Sequence, residues 1–466
     1  MRRVCLALPL LLAAPFLGCS SSSSDGEGTP PPSNAGMGTV NGGSFGSAGI
    51  AGSAAGASAG AAGGLLPAAG ASGSTSAAGG GSAGQSANAA AGAGGRASGT
   101  GGNSSSGGGS SGGGNATAGS AGATLGASTF MLGADITDQE PAPTAAQDNL
   151  LSQMKTHGFN FIRLRTFVDP KAADGYDKSN GYDDIAHTVT FGKRIKDAGM
   201  GLLVDFHYSD NWADPGKQCI PVSWQDYTTI DQLATAVHDY TKDAIQKLVA
   251  GGARPDMVQI GNETTPGMLL HHCDSGGQPM TGTVAITGST GNWTNLGKLL
   301  NAGAAGVKEV DASILISLHI DRGNSFSASK NWIDNATQQK VPFDAFGESC
   351  YQTYQGDKNS VANTVTGWTT TFSQLTAAYP KLRFFAAEYG PMEREINDVL
   401  FNLPNQQGLG TFNWEPTTQG DWNAVQPSDP SGTTSHALFT RSGNTYTTRP
   451  DLALYDLMKT AYASRL

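Results

Sequence analysis

Residues 201–208 read Gly-Leu-Leu-Val-Asp-Phe-His-Tyr, a run of apolar, β-branched and aromatic side chains that predicts a buried β-strand. Further along the chain, apolar side chains between Leu233 and Leu248 recur at helical spacing and predict an amphipathic helix over Ile230–Ala250. A strand followed by such a helix is one βα unit, and units of this kind build parallel sheets that are covered by helices.

The same alternation runs from Phe130 to the end of the chain. Helices are predicted over Ala145–His157, where Thr144 and Gln147 have the pattern of a capping box, and near Asp184–Ala198. An amphipathic stretch over Asp451–Ser464 closes the chain. The eight predicted strands are Phe130–Ile136, Phe159–Phe167, Gly201–Tyr208, Met257–Glu263, Ile314–Ile320, Ala345–Tyr351, Leu382–Glu388 and Gly410–Trp414. Eight units predict a (β/α)8 barrel. An open doubly wound sheet is the alternative, but no Gly-x-Gly-x-x-Gly motif follows the first strand.

The N-terminal part of the chain has a different composition. Between Gly28 and Leu125 the only charged side chain is Arg96 and the only aromatic one is Phe45; most of the rest is Gly, Ala and Ser. Such a segment cannot bury enough apolar surface to offset its chain entropy, so we expect a disordered linker over residues 19–125. Residues 126–466 suffice for one barrel domain with its own core. Collagen, coiled coil and polytopic membrane protein are excluded as classes.

The first residues have the pattern of an export signal. Arg2 and Arg3 precede an apolar run over Val4–Leu17 that is too short to span a bilayer comfortably. The following Phe-Leu-Gly-Cys-Ser, which ends at Ser20, resembles the lipobox of bacterial lipoproteins, whose cysteine is lipidated and becomes the new N-terminus. We therefore expect a signal peptide over residues 1–18 and a cell-surface lipid anchor at Cys19, with plain secretion as the alternative. The net charge of −10 and the lack of a basic cluster argue against nucleic acid as a partner.

Polar side chains gather at the carboxyl ends of the predicted strands, which converge on one mouth of a barrel. Glu263 and Glu388 end the fourth and seventh strands. Facing each other, one carboxylic acid can protonate a leaving oxygen while the other carboxylate attacks an anomeric carbon, as in double-displacement glycoside hydrolysis. Taken alone, either glutamate could be a surface or ion-paired residue. The other strand-end residues are Asp135, Arg163, Arg165, His207, Tyr208, Asn262, His319, Asp321, Tyr351, Tyr389, Trp414 and Glu415.

Several of these positions suit the binding of a sugar. Asn262 fits a donor to a sugar 2-hydroxyl, and Arg163 or Arg165 could keep the attacking carboxylate ionised. Because the two arginines share a strand face, a structural ion pair is the alternative for at least one of them. His207 is expected to contact the sugar or the attacking carboxylate, with a structural histidine as the alternative. The candidate stacking platforms, which could equally be core residues, are Trp212, Trp224 and Trp414.

Three stretches resemble glycoside hydrolase family 53. They are Phe-Ile-Arg-Leu-Arg at 161–165, Leu-Val-Asp-Phe-His-Tyr-Ser-Asp-Asn-Trp-Ala-Asp-Pro-Gly-Lys-Gln at 203–218 and Val-Gln-Ile-Gly-Asn-Glu at 258–263. That family consists of endo-β-1,4-galactanases, which act on the galactan of type I arabinogalactan. The resemblance implies a (β/α)8 fold, retention of anomeric configuration, Glu263 as acid/base and Glu388 as nucleophile. We expect the substrate to be bound by Asp135, Arg163, Arg165, His207, Asn262, His319, Tyr351 and Trp414.

The chain also departs from the family pattern. Cys350-Tyr351 replaces a Tyr-Tyr pair, and the stretch after Glu263 differs. Some members bind calcium in a long loop after the nucleophile, but only Tyr389–Leu409 separates the last two strands here, so we expect no calcium and no cofactor. His271, His272 and Cys273 lack ligand spacing, so we expect no other metal. The alternatives for function are hydrolysis of another β-linked polysaccharide, such as mannan or glucan, and a non-catalytic glycan-binding lipoprotein. We expect a monomer.

Three cysteines follow the predicted signal and lipobox. Cys219 and Cys273 fall in the loops after the third and fourth strands, which are neighbours in a barrel, so the sequence predicts a disulfide between them. Cys350 falls on a strand and is predicted to be a buried free thiol.

Overall fold

A computed structural model describes residues 129–352, 356–357, 360–417 and 437–466. It contains eight parallel strands that close into a barrel, with β8 bonded to β1 along the whole of Met131–Asp135. The strands are β1 (Met131–Asp135), β2 (Phe161–Thr166), β3 (Gly201–Phe206), β4 (Met257–Ile260), β5 (Leu315–Ile320), β6 (Ala345–Cys350), β7 (Arg383–Tyr389) and β8 (Gly408–Trp414). The predicted (β/α)8 barrel is confirmed, and the open sheet is excluded by the pairing of the first and last strands.

Helices surround the barrel. They are α1 (Thr144–Thr156), α2 (Ile185–Asp197), α3 (Ile230–Ala250), α4 (Trp293–Val310), α5 (Phe326–Gln338), α6 (Val361–Ala378), α7 (Glu393–Phe401) and α8 (Ala453–Ala461). Two short antiparallel pairs decorate the loops, Gly267–Met268 with Gly288–Ser289 and Phe439–Ser442 with Thr445–Thr448. No helix within the described ranges is long and apolar enough to cross a bilayer. The predictions for residues 1–18 and 19–125 lie outside these ranges.

The predicted capping box of α1 is wrong. Pro143 is the N-cap residue, so Thr144 is already helical and makes no side-chain cap. Gln147 instead donates its side-chain amide to the backbone oxygens of Gln139 and Glu140, at 2.9 and 3.1 Å. Proline favours this arrangement because its fixed φ suits a helix start and it has no N–H to satisfy.

The two faces of each strand pack against different parts of the protein. Outward side chains such as Ile162, Leu164 and Val204 are fully buried against the helices. Inward side chains near the amino ends of the strands are apolar and fill the bottom of the barrel: Met131, Phe161, Leu203, Met257, Phe385 and Phe412. Toward the carboxyl ends the inward positions become polar and charged, which concentrates the chemistry at one mouth.

Strand β7 contains a β-bulge next to that mouth. Ala386 pairs with Glu348 of β6, but the next residue of β6, Ser349, pairs with Glu388, so β7 has one extra residue at Ala387. The pairing with β8 shows the same extra residue. A bulge interrupts the alternation of faces. Ala387 lies in the inner apolar cluster, Glu388 also faces the mouth, and Tyr389 returns to the outer core.

Candidate active site

A cavity of about 560 Å³ opens at the carboxyl ends of the strands. It brings together both predicted catalytic glutamates, Glu263 and Glu388, with the predicted binding residues Asn262, Tyr351 and Trp414. The remaining lining residues are Trp212, Ala213, Asp214, Pro215, Asp321 and Glu415. The predicted convergence of strand-end residues on one mouth is therefore present.

Glu263 is held by an unusual backbone. Strand β4 ends at Ile260, before the predicted boundary, and Gly261 and Glu263 then adopt left-handed φ angles of 81° and 44°. A non-glycine residue in this region is strained, and such strain is common at functional sites. Thr264 fixes the turn, since its backbone N–H and its hydroxyl both donate to the His319 carbonyl oxygen, at 2.9 and 3.0 Å.

Glu388 sits between a guanidinium cation and a phenol hydroxyl. One of its carboxylate oxygens lies 3.1 Å from the Arg163 guanidinium, and the other accepts a 3.0 Å hydrogen bond from the Tyr351 hydroxyl. All three side chains are at most 7% exposed. A neighbouring positive charge and a hydrogen bond to the charged form both favour ionisation of a buried carboxyl.

The two glutamates have different electrostatic environments. Burial, followed by the negative charge of Glu388, raises the pKa of Glu263 well above its ordinary value. Burial also raises the pKa of Glu388, to about 7, but there Arg163 and the Tyr351 hydrogen bond act in the opposite direction. Because Arg163 favours the anion at Glu388, Glu388 ionises first while Glu263 keeps its proton. Such a division of one pair into an acid and an anion is how buried carboxyls take different catalytic roles.

Arg163 is the centre of the network beneath the cavity. Its guanidinium bonds to Asp135, Asp205 and Asn262, each at 2.8 Å. Two buried carboxylates and an amide oxygen thus fix the plane of the guanidinium that contacts Glu388. These three bonds offset part of the cost of burying the charged guanidinium.

Arg165 has a structural task. Its guanidinium contacts Asp183 at 3.1 Å and Glu415 at 3.0 Å. It lies 4.1 Å from the ring centroid of Trp212 and 5.5 Å from that of Trp414, within cation–π range. Arg165 is therefore the structural ion pair anticipated for one of the two arginines, and it supports the aromatic wall of the cavity from behind.

Five residues predicted to bind substrate lie under the cavity floor instead of lining it. They are Asp135, Arg163, Arg165, His207 and His319, all at most 1% exposed. His207 accepts the Ala213 N–H at Nδ1 (2.9 Å) and places Nε2 3.0 Å from Asp205, which is the structural-histidine alternative. The expectation that these five side chains contact the sugar directly is corrected, because their full burial leaves no surface for one. They instead position the residues that line the cavity above them.

The three candidate stacking platforms occupy different positions in the structure. Trp212 and Trp414 line the cavity, with ring centroids 5.8 Å apart. Trp224 is only 7% exposed and packs edge-on against Tyr240, away from the cavity, so it is not a platform here.

Several residues of the site were not predicted to belong to it. Asp205, Gln259 and Ser349 connect Arg163, Asn262 and Glu263 beneath the cavity. Although burial opposes it, Arg163 and His207 hold the pKa of Asp205 below its usual value. Strand alternation was the signal that could have found them, because a polar residue on the inward face of a barrel strand has no solvent to satisfy it.

The predicted disulfide is confirmed. Cys219 and Cys273 are bonded, with Cα atoms 5.8 Å apart, and Cys350 is a buried free thiol as predicted. Next to the disulfide, Gln218 donates to the Asn262 carbonyl oxygen at 2.9 Å. The loop that carries Trp212 is thereby tied to the loop that carries Glu263. Among the described side chains, no three His, Cys, Asp or Glu residues are grouped to hold a metal ion.

Comparison with known proteins gives a consistent pattern. The model of glycosyl hydrolase family 53 matches residues 138–378, a range that includes Glu263 and ends before Glu388. The endo-β-1,4-galactanase of Bacillus subtilis (strain 168) is 27% identical over 60% of this chain and 65% of its own length. The arabinogalactan endo-β-1,4-galactanase of Thermothelomyces thermophilus is 29% identical over 58% of this chain and 80% of its own. The solved family 53 catalytic domain of Ignisphaera aggregans superposes with a TM-score of 0.56 at 25% identity, covering 71% of this chain and 96% of that domain.

Proposed function

The chain belongs to glycoside hydrolase family 53, and we propose that it is a retaining endo-β-1,4-galactanase in which Glu388 is the nucleophile and Glu263 the acid/base. One observation carries the assignment of roles. Both carboxyls line the same cavity, but only Glu388 is contacted by the Arg163 guanidinium and the Tyr351 hydroxyl. A nucleophile must be anionic and an acid must hold a proton. The two contacts favour the anion at Glu388 and are missing at Glu263, which supports this division of roles.

In the first step, a Glu388 oxygen forms a bond to the anomeric carbon as the bond to the glycosidic oxygen breaks. Glu263 gives its proton to that oxygen, so the leaving sugar departs as an alcohol. As negative charge leaves Glu388, its ion pair with Arg163 and the hydrogen bond it accepts from Tyr351 weaken. In the second step, Glu263 removes a proton from water, the water oxygen bonds to the anomeric carbon, and Glu388 is released as a carboxylate. Two inversions give net retention.

The cavity suits a neutral polysaccharide. Its lining includes five carboxyl groups, those of Asp214, Glu263, Asp321, Glu388 and Glu415, and no Lys or Arg among the described residues. An uncharged galactan escapes the repulsion that this lining would exert on a polyuronic acid. Trp212 and Trp414 offer aromatic faces, and the apolar faces of pyranose rings pack on such rings. Asn262 has a second amide proton available beyond the one donated to the Ala213 carbonyl oxygen, which suits a sugar hydroxyl.

Digestion of unsubstituted β-1,4-galactan by the purified chain tests the proposal, with mannan and β-glucan as parallel substrates. Release of short oligosaccharides from galactan, with retained configuration by NMR at early times, is expected. An inverted product would reject the two-step mechanism. A folded protein that leaves galactan intact but cleaves mannan or glucan would reject the substrate, and binding without cleavage would revive the lectin alternative.

Replacement of the catalytic carboxyls separates their roles. Glu388→Ala should lower kcat by several orders of magnitude, because no nucleophile remains, and external azide should restore part of the rate as a glycosyl azide of inverted configuration. Glu263→Ala should give, with azide, a glycosyl azide of retained configuration, because azide then replaces water in the second step. Exchange of these two outcomes would reverse the assignment.

We also propose that the enzyme is exported as a monomer and held at the cell surface by a lipid on Cys19. The charged and apolar pattern of residues 2–17 and the following Leu-Gly-Cys support this. Metabolic labelling with a fatty acid should mark the wild-type chain and not Cys19→Ser, which should be released in soluble form. Labelling of both chains alike, or of neither, would reject the anchor. A dimer in size-exclusion chromatography with light scattering would reject the monomer.

A further inference from the structure

A chain of three side chains leads from the cavity into the barrel. The Ser349 hydroxyl oxygen lies 2.5 Å from a carboxyl oxygen of Glu263 and 3.0 Å from Nε2 of His319. Ser349 and His319 are completely buried. A serine hydroxyl has one proton, so Ser349 can donate to only one of these two neighbours at a time.

The other ring nitrogen of His319 decides between them. Nδ1 lies 3.0 Å from Oδ1 of Asn262. This atom must be the amide oxygen, because it accepts from the Arg163 guanidinium at 2.8 Å while Nδ2 donates to the Ala213 carbonyl oxygen at 2.9 Å. An amide oxygen has no proton to give, so Nδ1 of His319 must carry one and donate it.

Two N–H groups also lie near Nδ1, and the nearer of them does not need it as an acceptor. The Gln259 side-chain amide lies 3.2 Å from Nδ1, but one of its protons goes to Asp205 at 2.6 Å and the other can reach the Gly261 carbonyl oxygen at 3.2 Å. The Glu263 backbone N–H also points at Nδ1, but from 3.4 Å, the longest of these contacts. The shortest contact of Nδ1 is therefore the one to Asn262.

His319 is also neutral. Burial and then the nearby positive charge of Arg163 hold its pKa well below the ordinary value for histidine. In a neutral ring with the proton on Nδ1, Nε2 is an acceptor, and Ser349 is its donor. In that tautomer the Ser349 oxygen accepts from protonated Glu263, the reverse of the donation that an ionised Glu263 would receive from the same hydroxyl.

We propose that Ser349 and His319 are a positioning pair that holds Glu263 in its proton-donating form before the substrate arrives. The proposal rests on the acid/base role proposed for Glu263. When Glu263 gives its proton to the leaving oxygen, the Ser349 hydroxyl can rotate to donate to the new carboxylate, which leaves Nε2 of His319 without a donor. Loss of the Ser349–His319 hydrogen bond opposes ionisation of Glu263 before the substrate arrives. The bond forms again when Glu263 takes a proton from water in the second step.

Other groups around Glu263 act in the same direction but belong to different elements. The carboxyls of Glu388 on β7, Asp321 after β5 and Asp214 after β3 all favour the protonated acid, and Arg322 lies 3.5 Å from Asp321. Their contributions remain when Ser349 is replaced. A Ser349 variant therefore isolates the effect of the hydroxyl.

The pH dependence of kcat/KM on galactan distinguishes the two possible directions of the hydrogen bond. If Ser349 accepts from protonated Glu263, Ser349→Ala removes a bond to the protonated form and moves the basic limb to lower pH by about one unit. Ser349→Thr keeps the hydroxyl and should retain the wild-type limb. A basic limb that moves to higher pH, or does not move, in a folded Ser349→Ala variant would overturn the proposal.

A second measurement needs no substrate. In the full chain with ¹⁵N-labelled histidine, two-bond ¹H–¹⁵N correlations identify which ring nitrogen of His319 carries the proton. The signal is assigned by its loss in His319→Gln or, should that variant not fold, by its displacement in Ser349→Ala. A proton on Nδ1 is expected, and a proton on Nε2 would overturn the proposal. Because this readout is independent of activity, a failure to cleave galactan would reject the proposed function while the positioning pair is still decided.

Discussion

Replacement of Tyr351 by Phe should move the acid limb of the activity profile to higher pH. The Tyr351 hydroxyl donates to Glu388 at 3.0 Å in a buried setting, and a hydrogen bond to a charged group contributes about 1.5–3 kcal/mol. Since one pKa unit corresponds to about 1.4 kcal/mol, loss of this bond should raise the pKa of Glu388 by about one to two units. The direction is upward because the bond favours the ionised carboxylate, which the variant stabilises less.

The pKa of Glu388 is already raised to about 7 by burial, and activity requires its ionised form. The wild-type rate should therefore fall as pH drops through about 7, and the rate of Tyr351→Phe should begin to fall at a pH about one to two units higher. The assay is kcat/KM on galactan across the pH range, with thermal melts to establish folding. Tyr208→Phe is the matched control, because its buried hydroxyl bonds to Thr241 at 2.8 Å and not to a catalytic carboxyl. An acid limb that is the same in both variants would refute the idea that Tyr351 tunes Glu388.

Three further predictions concern other parts of the molecule. Replacing Cys219 and Cys273 together by Ser should lower the free energy of unfolding by about 4 kcal/mol in the chain-entropy model, since the bond closes a separation of 54 residues; an unchanged melting temperature would contradict this. Burial raises the pKa of Glu348 to about 8, so the folded state holds a proton that the unfolded state loses from about pH 4.5 upward. The free energy of unfolding should therefore fall as pH rises to about 8. Glu348→Gln should remove this dependence and stabilise the protein at pH 8 by roughly 3–5 kcal/mol, as measured by urea unfolding. Galactan oxidised to carboxylates at C6 should be cleaved with kcat/KM at least roughly tenfold lower than galactan at low salt, with partial recovery at high salt; equal rates would show that the acidic lining does not select against charge.

The hydrophobic periodicity of the sequence was enough to predict the barrel, but it did not show how deeply each side chain is buried. The strand runs at 161–166 and 201–206 were visible because their outward residues are mostly apolar, which is typical of parallel strands covered by helices. The strand-end position of Arg163 and His207 suggested contact with a ligand, but strand ends in a barrel include both the floor and the layer beneath it. Which layer a residue occupies depends on the stagger of neighbouring strands, a long-range property that no local pattern contains.

The sequence predicted the pair of carboxyl groups, but it did not predict which of the two is ionised and which keeps its proton. Glu263 and Glu388 each end a strand run, so their convergence followed from topology. The guanidinium that favours ionisation of Glu388 comes from β2, which lies far from β7 along the chain and meets it only inside the closed barrel. The hydroxyl that bonds to Glu263 comes from β6, and nothing about an isolated serine distinguishes it from a space-filling one.

The extra residue at Ala387 means that the backbone pairing of β7, as much as its composition, places the nucleophile. With regular alternation after Phe385, position 388 would face the helices and position 389 the mouth. A β7 of the same sequence that paired without the bulge would therefore turn the carboxyl of Glu388 toward the outer core, even though every functional side chain would still be encoded. Deletion of Ala387, by contrast, would restore regular pairing and leave Glu388 on the inward face beside Ser349. A relative whose β7 is shorter by this one residue would thus be expected to keep its glutamate at the mouth, whereas a relative of equal length needs the bulge to do so. The bulge in β7 therefore contributes to catalysis through backbone geometry alone, with no side-chain chemistry of its own.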